Sequence, residues 1–137
     1  MKLNTNLMES AELKERTVCR DVFVALSSPQ VAAVSDFYQK LLDVPPKVNA
    51  PSYAEFQLKG LRLAIFSPKA ENAPEFEGRS SGAMSLCLEV TDLKAAIAHL
   101  TTLGYPPPND IMHTSHGQEI YAYDPDGNRL ILHQSPG

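Results

Sequence analysis

Cysteine, histidine, basic charge and long apolar runs are all scarce in this chain, and each scarcity closes off a class of protein. Only two cysteines occur, Cys19 and Cys87, and they match neither a disulfide framework nor a metal-knuckle spacing. No apolar stretch in the sequence approaches the roughly 20 residues that a membrane-spanning helix requires. Lys and Arg number 12 against 16 Asp and Glu, for a formal net charge of −4. A dedicated nucleic-acid binder would need a basic excess to neutralise phosphates, so that class is set aside. The first residues, Met1-Lys2-Leu3-Asn4-Thr5-Asn6, lack the apolar core of a secretion signal, which makes a cytoplasmic location the expectation. With 7 Gly, 11 Pro and 43% hydrophobic residues, collagen-like and wholly disordered chains are excluded as well. What remains is a globule of 137 residues, one domain or two small units that share a core.

The order of elements carries more information. Residues 20–27 are short, β-branched and apolar, which predicts a strand. Ser28-Pro29 follows as an N-cap with proline at the first helical position. Val31, Val34, Phe37, Leu41 and Leu42 then recur at helical spacing, and Pro45-Pro46 ends the helix. A weak extended piece at 47–50, a strand at 53–58, a Lys59-Gly60 turn and a strand at 61–67 complete the order β-α-β-β-β. The second half does the same: a strand at 84–91, a helix capped by Asp92 and closed by Gly104, a poorly defined strand at 110–114, a strand at 119–123, and a last strand at 128–134 after the Asp124-Pro125-Asp126-Gly127 turn. The halves align in detail, Asp21–Leu26 over Ser85–Val90 at an offset of 64 and Gly60–Ile65 over Gly127–Leu132 at an offset of 67, with Gly-x-Arg-Leu common to both. Such a repeat implies two units that pack as a pair. The organisation expected is an N-terminal extension over 1–19 with a helix near 7–16, a first module over 20–68, a polar linker over 69–83 and a second module over 84–135.

Leu88-Glu89-Val90-Thr91-Asp92-Leu93 before the second helix, Tyr123-Asp124-Pro125-Asp126-Gly127-Asn128-Arg129-Leu130 near the end, and Phe37-Tyr38 followed by Leu41-Leu42 in the first helix together resemble the vicinal oxygen chelate superfamily. That superfamily holds glyoxalase I, extradiol dioxygenases and the fosfomycin- and bleomycin-resistance proteins, and the resemblance covers roughly residues 20–135. It implies an α+β fold in which two tandem βαβββ modules form a curled mixed sheet, a half-open cup with helices outside and ligand inside, in a homodimer. It also implies four metal-ligand positions, which by motif fall on Asp21, Ala64, Ser85 and Ile131. Ala64 and Ile131 offer no donor atom and Ser85 a poor one, so the usual metal site is expected to be absent and no cofactor is implied. A divalent metal would need non-standard ligands. His113-x-x-His116 has a spacing found in metal sites but lies in a loop-like stretch, and His99 reads as a helix-surface residue.

Strand alternation sets which side each residue faces. Val22, Val24 and Leu26 must meet the helix stripe, which turns Asp21, Phe23 and Ala25 towards the cup. By the same logic Ser85, Cys87 and Glu89, then Arg62, Ala64 and Phe66, then Tyr53, Glu55 and Gln57 face inwards, with Tyr121, Tyr123, Arg129, Ile131 and His133. Phe23, Phe66, Tyr53, Tyr121 and Tyr123 could clasp a planar or apolar ligand; Arg62 and Arg129 could fix a carboxylate or neighbour the acids; Glu55, Glu89 and His133 could orient polar atoms or transfer protons. Alternatively, Arg and Glu pair across strands on a solvated face and only stabilise it. Cys87 reads as a small packing residue.

Three functions stay open. The preferred one is a metal-independent protein that binds or sequesters a small amphipathic or aromatic molecule, with the acidic charge suiting a cation. The second is a lyase, isomerase or dioxygenase of the same superfamily with shifted ligands, Asp21, Glu89 and His133. The third is a protein-interaction module whose pocket is vestigial. No nucleic acid and no membrane is expected as a partner.

Overall fold

The structure, a computed structural model, describes residues 19–77 and 82–137. The expected helix near 7–16, and all of the 1–19 extension but Cys19, lie outside the described residues. The first module runs β1 (Val24–Ser27), α1 (Val31–Leu42), β2 (Val48–Ala50), β3 (Tyr53–Leu58) and β4 (Leu61–Phe66); the second runs β5 (Leu86–Glu89), α2 (Leu93–Leu103), β6 (Met112–Thr114), β7 (Gly117–Tyr123) and β8 (Arg129–Gln134). A 3₁₀ turn over Ala73–Phe76 interrupts the linker, where no element was expected. Each module forms a four-stranded mixed sheet in the same order, β1-β4-β3-β2 and β5-β8-β7-β6. First and last strands of each module pair in parallel, and the hairpins are antiparallel. Among the described residues no strand of one sheet pairs with the other, which leaves a curled, half-open arrangement and no closed barrel.

One apolar core serves both modules. Helix α1 contributes Val31, Val34, Phe37 and Tyr38, α2 contributes Leu93 and Leu100, and the sheets contribute Phe56, Leu63, Ile65, Ile120, Leu130 and Leu132, all buried. Burying a side chain of this size is worth about 1.5–3 kcal/mol. α1 packs on β3, β4 and α2, and α2 packs on β8. His99, on the surface of α2 as expected, places Nε2 2.8 Å from the Lys40 carbonyl and so ties the two helices together. Asp92 caps α2 by accepting the Ala95 N–H, and Gly104 ends it in the left-handed region at φ 94°, as its sequence predicts.

Three expectations need correction. The first strand begins at Val24, not at residue 20, because parallel pairing with β4 starts at Val24 opposite Leu63; Val22 is exposed instead of packed. Helix α1 begins at Val31, since the Ser28 hydroxyl accepts the Gln30 N–H at 2.9 Å and holds that residue in a turn. The repeat offset also changes at the first strands. Leu63 and Leu130 are equivalent at 67, but their partners Val24 and Leu86 are 62 apart, not 64. Ser85 is therefore the counterpart of Phe23, and Asp21 is not. The error is an even number, so the residues within β1 and β5 keep their faces.

The modules are tied at one buried point. Tyr38 on α1 is fully buried and donates its hydroxyl to Asp124 Oδ2 at 2.7 Å. Asp124 also accepts the N–H groups of Asp126 and Asn128 on Oδ1 and the Asn128 amide on Oδ2. Its four donors come from both modules. Burial, followed by the adjacent carboxylate, pushes the Tyr38 phenol far above its ordinary pKa, so the proton stays in this bond.

Tyr38→Phe leaves a buried carboxylate oxygen one donor short, and urea denaturation is expected to show a loss of about 1–3 kcal/mol. A change within experimental error would contradict the tie. Gly117 has φ 131°, and an added Cβ would sit 2.1 Å from the Gln134 carbonyl oxygen; Gly117→Ala is expected to cost at least about 1–3 kcal/mol in the same assay.

Candidate ligand-binding face

The strands lay out the candidate residues in rows on the face opposite the helices. Across the first sheet Ala50, Tyr53, Phe66 and Ser27 stand side by side, next to a row of Val48, Glu55, Ala64 and Ala25, with Gln57 opposite Arg62 beyond. Across the second sheet the rows are Met112, Glu119, His133 and Glu89, then Tyr121, Ile131 and Cys87, then Tyr123 and Arg129. Alternation puts all of them on the other side from the buried Ala54, Phe56, Leu63, Ile65, Ile120, Ala122, Leu130 and Leu132. Cys87 is exposed, so it is not the packing residue expected. Between the modules lies a narrow cleft of about 160 Å³, lined by Val24, Leu26 and Leu63 on one side and Ser85, Leu86 and Arg129 on the other.

In the first module the structure brings Asp21, Phe23 and Arg62 together. Arg62 Nη2 is 2.8 Å from Asp21 Oδ2, and the guanidinium carbon stands 4.1 Å from the centre of the Phe23 ring, a cation–π contact. Arg62 Nε is buried and has no acceptor among the described residues. Tyr53 donates its hydroxyl to Glu55 Oε1 at 2.7 Å, and that bond raises the phenol's pKa. Phe66 meets Phe76 of the linker edge-to-face, ring centres 5.4 Å apart.

The second module repeats the arginine arrangement with a different partner. Arg129 Nε donates to Ser85 Oγ at 2.7 Å and Nη2 donates to the Gly82 carbonyl at 2.7 Å. His133 Nδ1 is 2.7 Å from Glu89 Oε1, while the other oxygen of Glu89 accepts the N–H and hydroxyl of Ser135 at 2.9 Å each. The hydrogen bond to Glu89 raises the His133 pKa, helped by the His116 main chain and by Glu119. The bond from His133 lowers the Glu89 pKa.

Arg62 therefore bonds to the segment before β1 and not across strands to Glu55, and Arg129 likewise reaches the segment before β5. Four participants escaped the sequence reading. Glu119 is on the face by the same alternation that places Tyr121 and Tyr123 there. Ser135, Gly82 and Phe76 belong to segments with no periodicity to read.

These observations fit one family. The family model described as Glyoxalase/Bleomycin resistance protein/Dioxygenase superfamily matches residues 22–132. The chain belongs to this superfamily. Solved structures agree in fold. A solution structure of an Agrobacterium tumefaciens protein is 23% identical, with a TM-score of 0.71 over 88% of this chain and 100% of that one. A glyoxalase-related enzyme from Fulvimarina pelagi is 22% identical, with a TM-score of 0.69 over 86% of this chain and 90% of that one. A lactoylglutathione lyase from Agrobacterium tumefaciens is 17% identical, with a TM-score of 0.63 over 85% and 94%. At these identities the likeness is one of fold. Among the described residues no helix is long and apolar enough to cross a membrane.

The superfamily's metal does not fit the residues present. Ala64 and Ile131 carry no donor, the Asp21 carboxylate is held by Arg62, and the Ser85 hydroxyl is held by Arg129. A guanidinium thus stands beside both of these side chains, where a cation would be repelled, and the observed register puts Phe23, which has no donor, at the position equivalent to Ser85. The shifted set of Asp21, Glu89 and His133 is not assembled, since Glu89 and His133 bond to each other while Asp21 bonds to Arg62. Among the described residues no three His, Cys, Asp or Glu side chains form a group that could hold a metal, His113 and His116 included.

The Glu89–His133 pair has a defined pH window. His133's contribution to stability is fully present below the unfolded histidine pKa and is lost as pH rises through its raised folded value. Glu89's is present above the unfolded carboxylate pKa and is lost as pH falls through its lowered folded value. NMR titration is expected to place the His133 midpoint above that of a model peptide, and Glu89→Gln is expected to bring it down. A midpoint at or below the peptide value contradicts the pairing.

Proposed function

We propose that the chain is a metal-independent binding protein for a small amphipathic or aromatic molecule, held on the sheet face of the cup and acting as a homodimer without a cofactor. The observation that carries this reading is the lack of donor atoms at Ala64 and Ile131, together with two repeat-equivalent arginines that hold Asp21 and Ser85, the two side chains with donor atoms that the motif offered. The rest of the face suits a ligand with two chemical ends. Phe66 and Tyr53 offer apolar area on one module, and Glu89, His133 and Glu119 offer charge and hydrogen bonds on the other. The buried Arg62 Nε–H has no acceptor among the described residues, so Asp21 does not saturate this guanidinium. The net charge of −4 favours the approach of cations.

The test combines metal analysis of protein purified without chelator with a thermal-shift screen. The screen covers cationic aromatic drugs and small hydroxy- and keto-acids, with and without EDTA. Expected are metal far below one equivalent and a melting temperature raised by at least one compound, to the same extent in EDTA. A ligand at a hundred times its Kd should add about 2.7 kcal/mol, or roughly 10 °C, and Phe66→Ala or Tyr121→Ala should weaken it. Stoichiometric nickel, zinc, manganese or iron would overturn the metal-independent reading. No shift with any compound, and no metal, would favour a protein-interaction module instead.

A further inference from the structure

We propose that the groove between the linker and the Asp124–Asn128 turn is a second binding site, taking a small organic cation with an ammonium or amidinium group beside an aromatic or aliphatic body. The groove opens at one end of a cup-face row, where Ser27 and Phe66 line it, and runs outward along the linker to the turn of the second module. It consists of two open depressions of about 610 and 710 Å³ that share Ser67, Pro68 and Phe76, a size that suits a small molecule. The inner depression adds Ser27, Ser28 and Asp126, and so joins the end of β1, the linker and the second module's turn.

Donors and acceptors decide the charge of the ligand. The turn's N–H groups are already used: Asp126 and Asn128 donate to Asp124 Oδ1, and Gly127 donates to the Asp124 carbonyl. Nearby, the Ser28 N–H bonds the Phe66 carbonyl and the Gln30 N–H bonds Ser28 Oγ. An anion therefore finds none of these donors free. Acceptor capacity is in excess. Asp126 Oδ1 takes the Gln30 side-chain amide at 2.7 Å, but Asp126 Oδ2 is buried and receives no hydrogen bond among the described residues. A buried carboxylate oxygen without a donor is costly, and a cationic N–H is the partner that relieves it best.

The groove also says what kind of cation. A hard divalent ion needs about six or more oxygen ligands, and among the described residues no group of three acidic, His or Cys side chains could supply a metal site. Phe76, by contrast, is 45% exposed and braced edge-to-face by Phe66, so it presents a fixed aromatic wall beside the carboxylate. Lys69, on the outer depression, is accompanied there by Glu71 and Glu75, which leaves that side acidic as well.

The test is a ¹H–¹⁵N NMR titration with benzylamine, and with benzoate, benzyl alcohol and calcium chloride in parallel. Benzylamine is expected to move the amide signals of Ser67, Phe76 and Asp126–Asn128 to saturation, and benzoate to leave them unmoved. Asp126→Asn keeps an oxygen for Gln30 and should weaken benzylamine about tenfold or more. Phe76→Ala, remote from the core, should weaken it independently and keeps the test open if Asp126→Asn melts early. The proposal is overturned if benzylamine gives no saturable shift at these residues, if Asp126→Asn binds as tightly as the parent, or if benzoate or calcium alone reproduces the shifts.

Discussion

The buried bond between Tyr38 and Asp124 is the constraint on which the arrangement of the two modules rests. A carboxylate at 3% exposure is tolerable only when its oxygens are satisfied, and here the donors come from both halves of the chain. The same four bonds shape the turn that launches β8, and β8 is one of the two inner strands of its sheet. The tie therefore fixes α1 against the second module and sets where Arg129 begins its reach towards Ser85. Gln30 adds a second strut from the first module to the same turn through Asp126. An apolar contact at this place would hold the halves together but would not set their direction.

Duplication supplies the scaffold, and divergence supplies the chemistry. The arginines Arg62 and Arg129 are kept at equivalent positions, and both turn back to the segment before the first strand. One step across the face the copies part. Where the first module has Ser27, Phe66 and Tyr53 in a row, the second has Glu89, His133 and Glu119. A symmetrical fold thus presents an asymmetrical surface, aromatic on one side and ionisable on the other. On the binding role proposed above, such a surface would distinguish the two ends of a ligand.

Much of the fold was legible because periodicity is local. The α2 cap at Asp92, its stop at Gly104, the strand Tyr53–Leu58 and the weak pieces around Val48–Ala50 and Met112–Thr114 all follow from patterns that need no partner. The first strands were less legible, since Arg20–Phe23 look like strand but lie beyond the reach of parallel pairing with β4, and pairing is a long-range fact. The matching of Asp21 to Ser85 failed for the same reason. Most of the face could be read because alternation within a strand is local, so Tyr53, Arg62, Tyr121 and His133 fall on the side it predicts. Their bonding partners could not be read. Gly82, Ser135 and Phe76 lie in irregular segments, and the sequence spacing between Tyr38 and Asp124 says nothing about their meeting.

The parallel pairing of first strand with last has a consequence for how the chain must assemble. β1 has no sheet partner until β4 has been synthesised, and β5 must wait for β8, so neither sheet can close as its residues appear in order. In each module the first strand is therefore paired only after the last strand exists. The Tyr38 hydroxyl waits longer still, because its acceptor lies 86 positions further along. The first N–H of α2 likewise donates to the side chain of Gln134, on the last strand. Both halves are therefore completed late, and the bonds that finish the first are delivered by the second.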